Sequence, residues 1–194
     1  MSARSNSDID ISSRALVLIG ANPITSFEDG STEATVASNM YEDIAQAALL
    51  NTRWRFTTDQ AVMNRLSEEP TGRYDAAYQI PSASIMAHAV TINDNPIQYQ
   101  IYGNKVYCDA GISDELVIDY SYRSHEVDWP AYFILAVEYS LASIFAVAIA
   151  RDTSLANMFE QKALMAMAKA RGLDAQQHTN LRLNTSRFIN QRRS

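Results

Sequence analysis

The spacing of apolar residues changes character twice along the chain, near residue 53 and again near residue 129. Up to about residue 52, apolar positions recur at three- and four-residue steps, which keeps them on one face of a helix. Between 53 and 128 they alternate with polar positions, the two-residue period of strands. From 129 onward the helical spacing returns, and it opens on the most apolar stretch in the chain. Trp129–Ala150 (WPAYFILAVEYSLASIFAVAIA) carries Glu138 as its only charge. About twenty residues at ~1.5 Å each make a rod of roughly 30 Å, a length that also permits a membrane span. Small residues (Ala136, Ala142, Ala146, Ala148, Ala150, Ser140, Ser143) and the lack of a flanking Lys/Arg cluster favour a central helix in a soluble protein. A helix apolar all round has to be surrounded, so the rest of the chain must supply its neighbours.

Ser12 is placed to cap a short helix ending at Gly20, with Ile11, Ala15, Leu18 and Ile19 on one face. Asn22-Pro23 and Glu28-Asp29-Gly30 mark a loop. Ser31 or Thr32 opens a second helix striped by Ala37, Met40, Tyr41, Ile44, Ala45, Ala48 and Leu49. Trp54 and Phe56 alternate with Arg53, Arg55 and Thr57 as a first strand. After the break at Ser67–Gly72, His88, Val90 and Ile92 share a face of the next. Asp94-Asn95-Pro96 turns the chain into a strand over Ile97–Tyr102, where Ile97, Tyr99 and Ile101 share a face. Gly103-Asn104 makes a tight hairpin to Val106 and Cys108. Leu116, Ile118, Tyr120 and Tyr122 form the last alternating run, and the segments together read as an antiparallel meander. Beyond the rod, Asp152-Thr153-Ser154 caps a helix with Ala156, Phe159, Ala163, Ala166, Met167 and Ala170 on its seam. Gly172 ends it, and residues 173–184 form a weaker helical piece.

The expected fold class is α+β, an antiparallel helical bundle of about four main helices with an inserted β-meander module and an extended C-terminal tail. The bundle takes residues 1–52 and 129–184, the inserted module 53–128, and the tail 185–194.

Charge sharpens this division. Residues 1–160 hold nine basic and 21 acidic side chains, a balance of −12; residues 161–194 hold seven basic and one acidic, a balance of +6. A basic end on an acidic body suggests an acidic partner or nucleic acid for that end. The plain alternative is a solvated terminus. A single cysteine, Cys108, excludes an internal disulfide. The polar start, MSARSNSDID, has no apolar core of the kind a secretory signal needs, so folding in the cytosol is expected.

Candidate chemistry is sparse. With six glycines the chain offers neither GxxxxGK[ST] nor GxGxxG, and no serine lies in a GxSxG elbow. His88, His125 and His178 are far apart, with no helical pair suited to a metal. His88 reads as a satisfied core histidine and Cys108 as a small buried residue. Only carboxylates remain: Glu126 and Asp128 before the apolar helix, and Asp114 and Glu115 at a strand turn. Paired acids ~5–10 Å apart across a cleft hydrolyse glycosidic bonds, and Tyr99, Tyr102, Tyr107, Tyr120 and Tyr122 offer surfaces for sugar stacking. The plain alternative has the acids solvating loops and the tyrosines filling a sheet core or an interface.

The segments SRALVLIGANPITSFEDGSTEA, WRFTTDQA, VDWP and AIARD, in that order, resemble tail tubular protein A, the head–tail adaptor family of T7-like short-tailed bacteriophages. The likeness runs over roughly residues 10–190 and rests on structural residues, without a catalytic signature. It implies a non-enzymatic virion protein, made in the host cytoplasm, that forms a ring of about twelve subunits, cyclic assemblies being a common closed solution. That ring sits beneath the portal vertex. The helices would form its body and the C-terminal segment would reach the portal protein. The sheet module would face the tail nozzle and the fibres, and genomic DNA would pass through the lumen without specific binding. No cofactor, metal or membrane is implied. Carried onto this chain, the portal-docking residues are Arg182, Arg187, Phe188, Ile189, Arg192 and Arg193; the resemblance supplies the role of the segment.

Charge fits such a ring, in which one face of each subunit meets a different face of the next. An exposed ion pair contributes only ~0–1 kcal/mol, but repeated pairs act together through effective concentration. An acidic channel wall would let DNA slide. Two other readings predict different behaviour. A carbohydrate-binding or polysaccharide-hydrolysing tail component would act through the β module and need Glu126 or Asp128. A basic-tailed DNA-binding protein would show steeply salt-dependent affinity.

Overall fold

The computed structural model describes residues 6–68 and 70–177. They form a mixed α+β structure with four α-helices and two antiparallel sheets. The helices are α1 (Asp8–Leu18), α2 (Thr32–Leu50), α3 (Ala131–Ala148) and α4 (Thr153–Ala175).

Helix α1 begins earlier than Ser12. Ser7 is its N-cap: its hydroxyl accepts from Asp10 N at 3.0 Å, while the Asp10 carboxylate accepts from Ser7 N at 3.0 Å. This reciprocal box satisfies two amides that the first turn would leave open. It outcompetes Ser12, which lies buried inside the helix. Of the two expected candidates Ser31 caps α2, accepting from Ala34 N at 3.1 Å, and Thr32 is the first helical residue. Asp152 caps α4 through Ser154 N and Leu155 N. Gly172 does not end α4, which continues to Ala175. The reason lies in tertiary contact. Asp174 is buried, accepting from Arg55 N at 3.2 Å and from the Tyr132 hydroxyl at 3.1 Å. Such anchoring outweighs the ~1 kcal/mol that glycine costs a helix interior. The remainder of the expected 173–184 piece and the 185–194 tail lie outside the described residues.

Helix α3 packs against α1, α2 and α4. Phe133, Val137, Leu141, Ala142, Phe145 and Ala146 are fully buried. It is long and apolar enough to cross a membrane, and half of it is buried within the protein. Glu138, its one charge, is held by Arg14 of α1. A lone buried carboxylate would be costly; here it ties two helices together.

Trp54 and Phe56 do not form a strand. Arg55–Thr57 is a single 3-10 turn, and β1 starts at Thr58. The Thr57 and Thr58 hydroxyls both donate to Trp54 O, at 3.2 and 2.6 Å, and such local bonds compete with a ladder. The two rings instead join the helical core. Trp54, Phe56 and Trp129 all lie against Phe133, with centroids 5.1, 5.0 and 4.9 Å away, edge to face.

The strands are β1 (Thr58–Met63), β2 (Ala76–Gln79), β3 (Ser84–Ile92), β4 (Asn95–Pro96), β5 (Tyr99–Tyr102), β6 (Lys105–Cys108) and β7 (Leu116–Tyr122). They do not make one meander. One sheet runs β1-β7-β3-β4 and the other β2-β6-β5. Strand β7, buried at four of its seven positions, takes the centre between β1 and β3, where a strand needs apolar cover. The turn after β3 falls on Asn93-Asp94, both left-handed at φ +49° and +61°, so Asn95 and Pro96 pair back with Ile92 and Thr91. Gly103-Asn104 connects β5 to β6 as expected, with Tyr102 opposite Lys105 and Gly103 at φ +61°. Ile101 is exposed although its partner Val106 is buried, because β5 is an edge strand.

Two buried clusters result. One gathers the helices with Trp54 and Trp129; the other gathers Met63, Tyr78, Val90, Val106, Leu116 and Ile118 with Cys108 and Tyr120.

Candidate interaction surfaces

The six residues assigned to portal docking, Arg182, Arg187, Phe188, Ile189, Arg192 and Arg193, lie outside the described residues, as does His178. The four candidate carboxylates are described, and two of them, Glu126 and Asp114, are occupied. Glu126 accepts from the Tyr41 hydroxyl at 3.1 Å and pairs with Arg123. Arg123 also grips both oxygens of Glu42, at 3.0 Å each, and lies 5.2 Å from the Trp129 ring. Burial works against the charge of Arg123, and the hydrogen bonds it donates to Glu42 and Glu126 overcome it, holding the guanidinium above its ordinary pKa. The bonds from Arg123 likewise lower the pKa of Glu42. Burial, then the charge of Glu126, raises that of Tyr41. This latch fastens the end of β7 to α2 and to the turn before α3. It uses Glu126 structurally, leaving Asp128 exposed without it as a working partner.

Asp114 folds back onto Gly111 N at 2.7 Å, and Glu115 is exposed. Tyr120 belongs to the sheet core, and Tyr122 donates to Phe56 O at 3.3 Å. Tyr102 and Tyr107 meet edge to face at 5.4 Å, with Tyr74 next to Tyr107. His88 bonds to Ser121 Oγ at 2.7 Å, and burial, helped by Arg53, pushes its pKa down. Burial pushes the Cys108 thiol up to about 11, so little reactive thiolate forms near neutral pH. Among the described residues no group of three His, Cys, Asp or Glu side chains is arranged to hold a metal ion.

Among the described residues the surface offers apolar area and a concentration of positive charge. Val17 and Leu18 of α1 and Leu135 of α3 are exposed and line a groove of about 330 Å³, with Tyr139 and the Arg14–Glu138 pair in its wall. On α4, Leu164 and Met165 are 67% and 72% exposed, and Met158 is exposed as well. Leu164 also lines a groove of about 310 Å³ with Ile44 of α2 and Ile144 of α3. In the loop before β7, Ile112 is 92% exposed.

The positive site is a cleft of about 600 Å³ where α2 ends, β1 begins and α4 finishes. Arg53, Arg55 and Arg171 line it, together with Thr52, Thr58 and Asp174. Arg53 pairs with Asp119 at 2.9 Å. Among the described residues, neither Arg55 nor Arg171 has a carboxylate oxygen within ion-pair distance. The sequence reading set Arg53 and Arg55 on the polar side of a strand. Their only visible signal was two arginines flanking a buried tryptophan, and Arg171 lies more than a hundred residues away. No family model matches this chain, and no curated protein matches it.

Proposed function

We propose that this chain is a non-enzymatic structural component of a virion, a head–tail adaptor that assembles into a ring between portal and tail nozzle. The observation that carries this reading is the apolar side chains left exposed on two different sides of the helices. Val17, Leu18 and Leu135 lie on the α1–α3 side, and Leu164 and Met165 on α4. Exposed apolar patches of this kind mark protein contact surfaces, and two unlike patches suit the unlike faces that a ring brings together. The sequence resemblance supplies the setting.

In this reading the helices form an antiparallel bundle that makes the ring body. The sheets point to the nozzle and fibres, and DNA passes through the lumen unbound. The C-terminal segment with Arg182, Arg187, Phe188, Ile189, Arg192 and Arg193 docks the portal. Apolar residues set among arginines in the sequence suit a partner groove.

The test is electron microscopy of the purified chain, alone and with portal. Rings of about twelve copies are expected from the resemblance, closed by cyclic symmetry. They bind portal, and binding is lost when residues 181–194 are removed. A chain that stays monomeric and ignores portal overturns the proposal, and portal binding that survives the deletion overturns the assignment of the docking segment.

A further inference from the structure

We infer that the cleft of Arg53, Arg55 and Arg171 is one half of a subunit–subunit contact, and that it receives the Glu28–Asp29–Glu33 segment of a second copy of this chain. The inference rests on the self-association proposed above and names where one of its contacts lies.

The charge of the cleft selects its ligand. Three guanidiniums face two carboxylates, Asp174 in the wall and Asp119 on Arg53, which leaves one positive charge in excess. That excess draws an acidic ligand, and single carboxylates spaced along a segment can each take one guanidinium, Arg55 and Arg171 being the two without an ion pair among the described residues. A polyphosphate backbone also meets the remainder of the surface, which through residue 160 carries a balance of −12 and repels it. Planar guanidinium forks take carboxylates in paired hydrogen bonds, and the Thr52 hydroxyl adds a donor at the rim.

The same chain carries the complement. Glu28 and Asp29 are exposed in the loop between α1 and α2, and Glu33 stands in the first turn of α2. Asp29 is engaged by Ser31, but Glu28 and Glu33 make no ion pair among the described residues. These acids sit at the start of α2, and Thr52 and Arg53 lie just past its end. Nineteen residues separate the two sites by about 28 Å at ~1.5 Å per residue. One molecule therefore cannot fill its own cleft. A second copy placed head to tail can, and a contact between unlike patches propagates from copy to copy.

The experiment is sedimentation velocity of the full chain over a range of concentrations, with circular dichroism verifying that each variant folds. Arg55→Glu with Arg171→Glu reverses the cleft, and Glu28→Lys with Glu33→Lys reverses the acidic segment. Each pair of changes is expected to raise the concentration at half-assembly about tenfold or more, since like charges then face each other. All four changes in one chain restore assembly, because the signs are exchanged on both halves. Arg73→Glu, an exposed arginine elsewhere, leaves assembly as it is. A cleft-reversed chain that assembles at the unaltered concentration overturns the inference while the ring reading stands. A four-change chain no better than the cleft-reversed one overturns the pairing of these two patches. Open chains of subunits that the cleft reversal disperses uphold the contact and sink the closed ring. An unaltered chain that remains monomeric throughout overturns both.

Discussion

The helical and sheet regions solve the problem of burying apolar surface in different ways. Around α3 the fully buried side chains include Trp54, Phe133, Phe145, Leu16, Leu49 and Leu141, drawn from every helix but the last and from the connection after α2. The sheets fully bury one ring, Tyr78, among the aliphatic side chains of Leu116, Ile118, Val90 and Val106 with Cys108, and leave Val62, Met86 and Ile101 exposed. Large rings meeting at one point make removal of any one of them expensive. The sheet core has no such meeting point of rings and is expected to open more readily. The helices are thus the frame, and the sheets are attached to it.

The largest expected effect is at the frame. Phe133→Ala removes the ring that Trp54, Phe56 and Trp129 all touch and is expected to cost about 3–5 kcal/mol. Urea denaturation followed by tryptophan fluorescence measures it. A loss under about 1 kcal/mol would mean that the site collapses around the missing ring. Ile118→Ala, in the middle of β7 and fully buried, is expected to cost about 2–4 kcal/mol, felt first by the sheets. Both tryptophans lie in the helical cluster and Cys108 in the sheet cluster, so two probes separate the regions. Thiol labelling of Cys108 should accelerate in Ile118→Ala at denaturant concentrations where tryptophan fluorescence is still native. Coincident transitions would show instead that the two clusters open as one.

The smallest effect is at the seam. Arg123→Ala frees Glu42 and Glu126 and is expected to cost about 2 kcal/mol, as for hydrogen bonds to charged groups. Glu42 also gives the seam a pH signature. Its pKa is lowered from 4.5 by Arg123, so its contribution is full above that value and is lost as pH falls through the lowered one. In Arg123→Ala that part of the acid sensitivity disappears. Denaturation midpoints at pH 6 and pH 3 in the two proteins measure it; an unchanged difference would remove Glu42 from the account.

Legibility in the sequence followed the range of the interaction. Ser31 as the cap of α2, Asp152 as the cap of α4 and the Gly103-Asn104 connection are decided within a few residues, and local chemistry reads them correctly. The apolar stretch led directly to α3, and alternation placed Val106 and Cys108 inside. Failures came where distant partners decide. Trp54 left its apparent strand because Phe133, some eighty residues on, gave its ring a place. Gly172 lost its stop because Asp174 bonds to Arg55 and Tyr132. Strand β7 moved between β1 and β3 although hairpin logic kept neighbours in chain order together. The arginine cleft was invisible for the same reason: its members come from two ends of the chain and share no periodicity.

Both connections between helices and sheets are fixed in the same manner. In each, a buried indole rests against Phe133 and gives its N–H to a carbonyl a few residues back, Trp54 to Ala48 at 2.9 Å and Trp129 to Ser124 at 3.2 Å. The strands therefore enter and leave through a single aromatic socket in the helices. Whatever is threaded between those two plugs inherits a fixed exit direction, so a different set of strands grafted there keeps the frame intact.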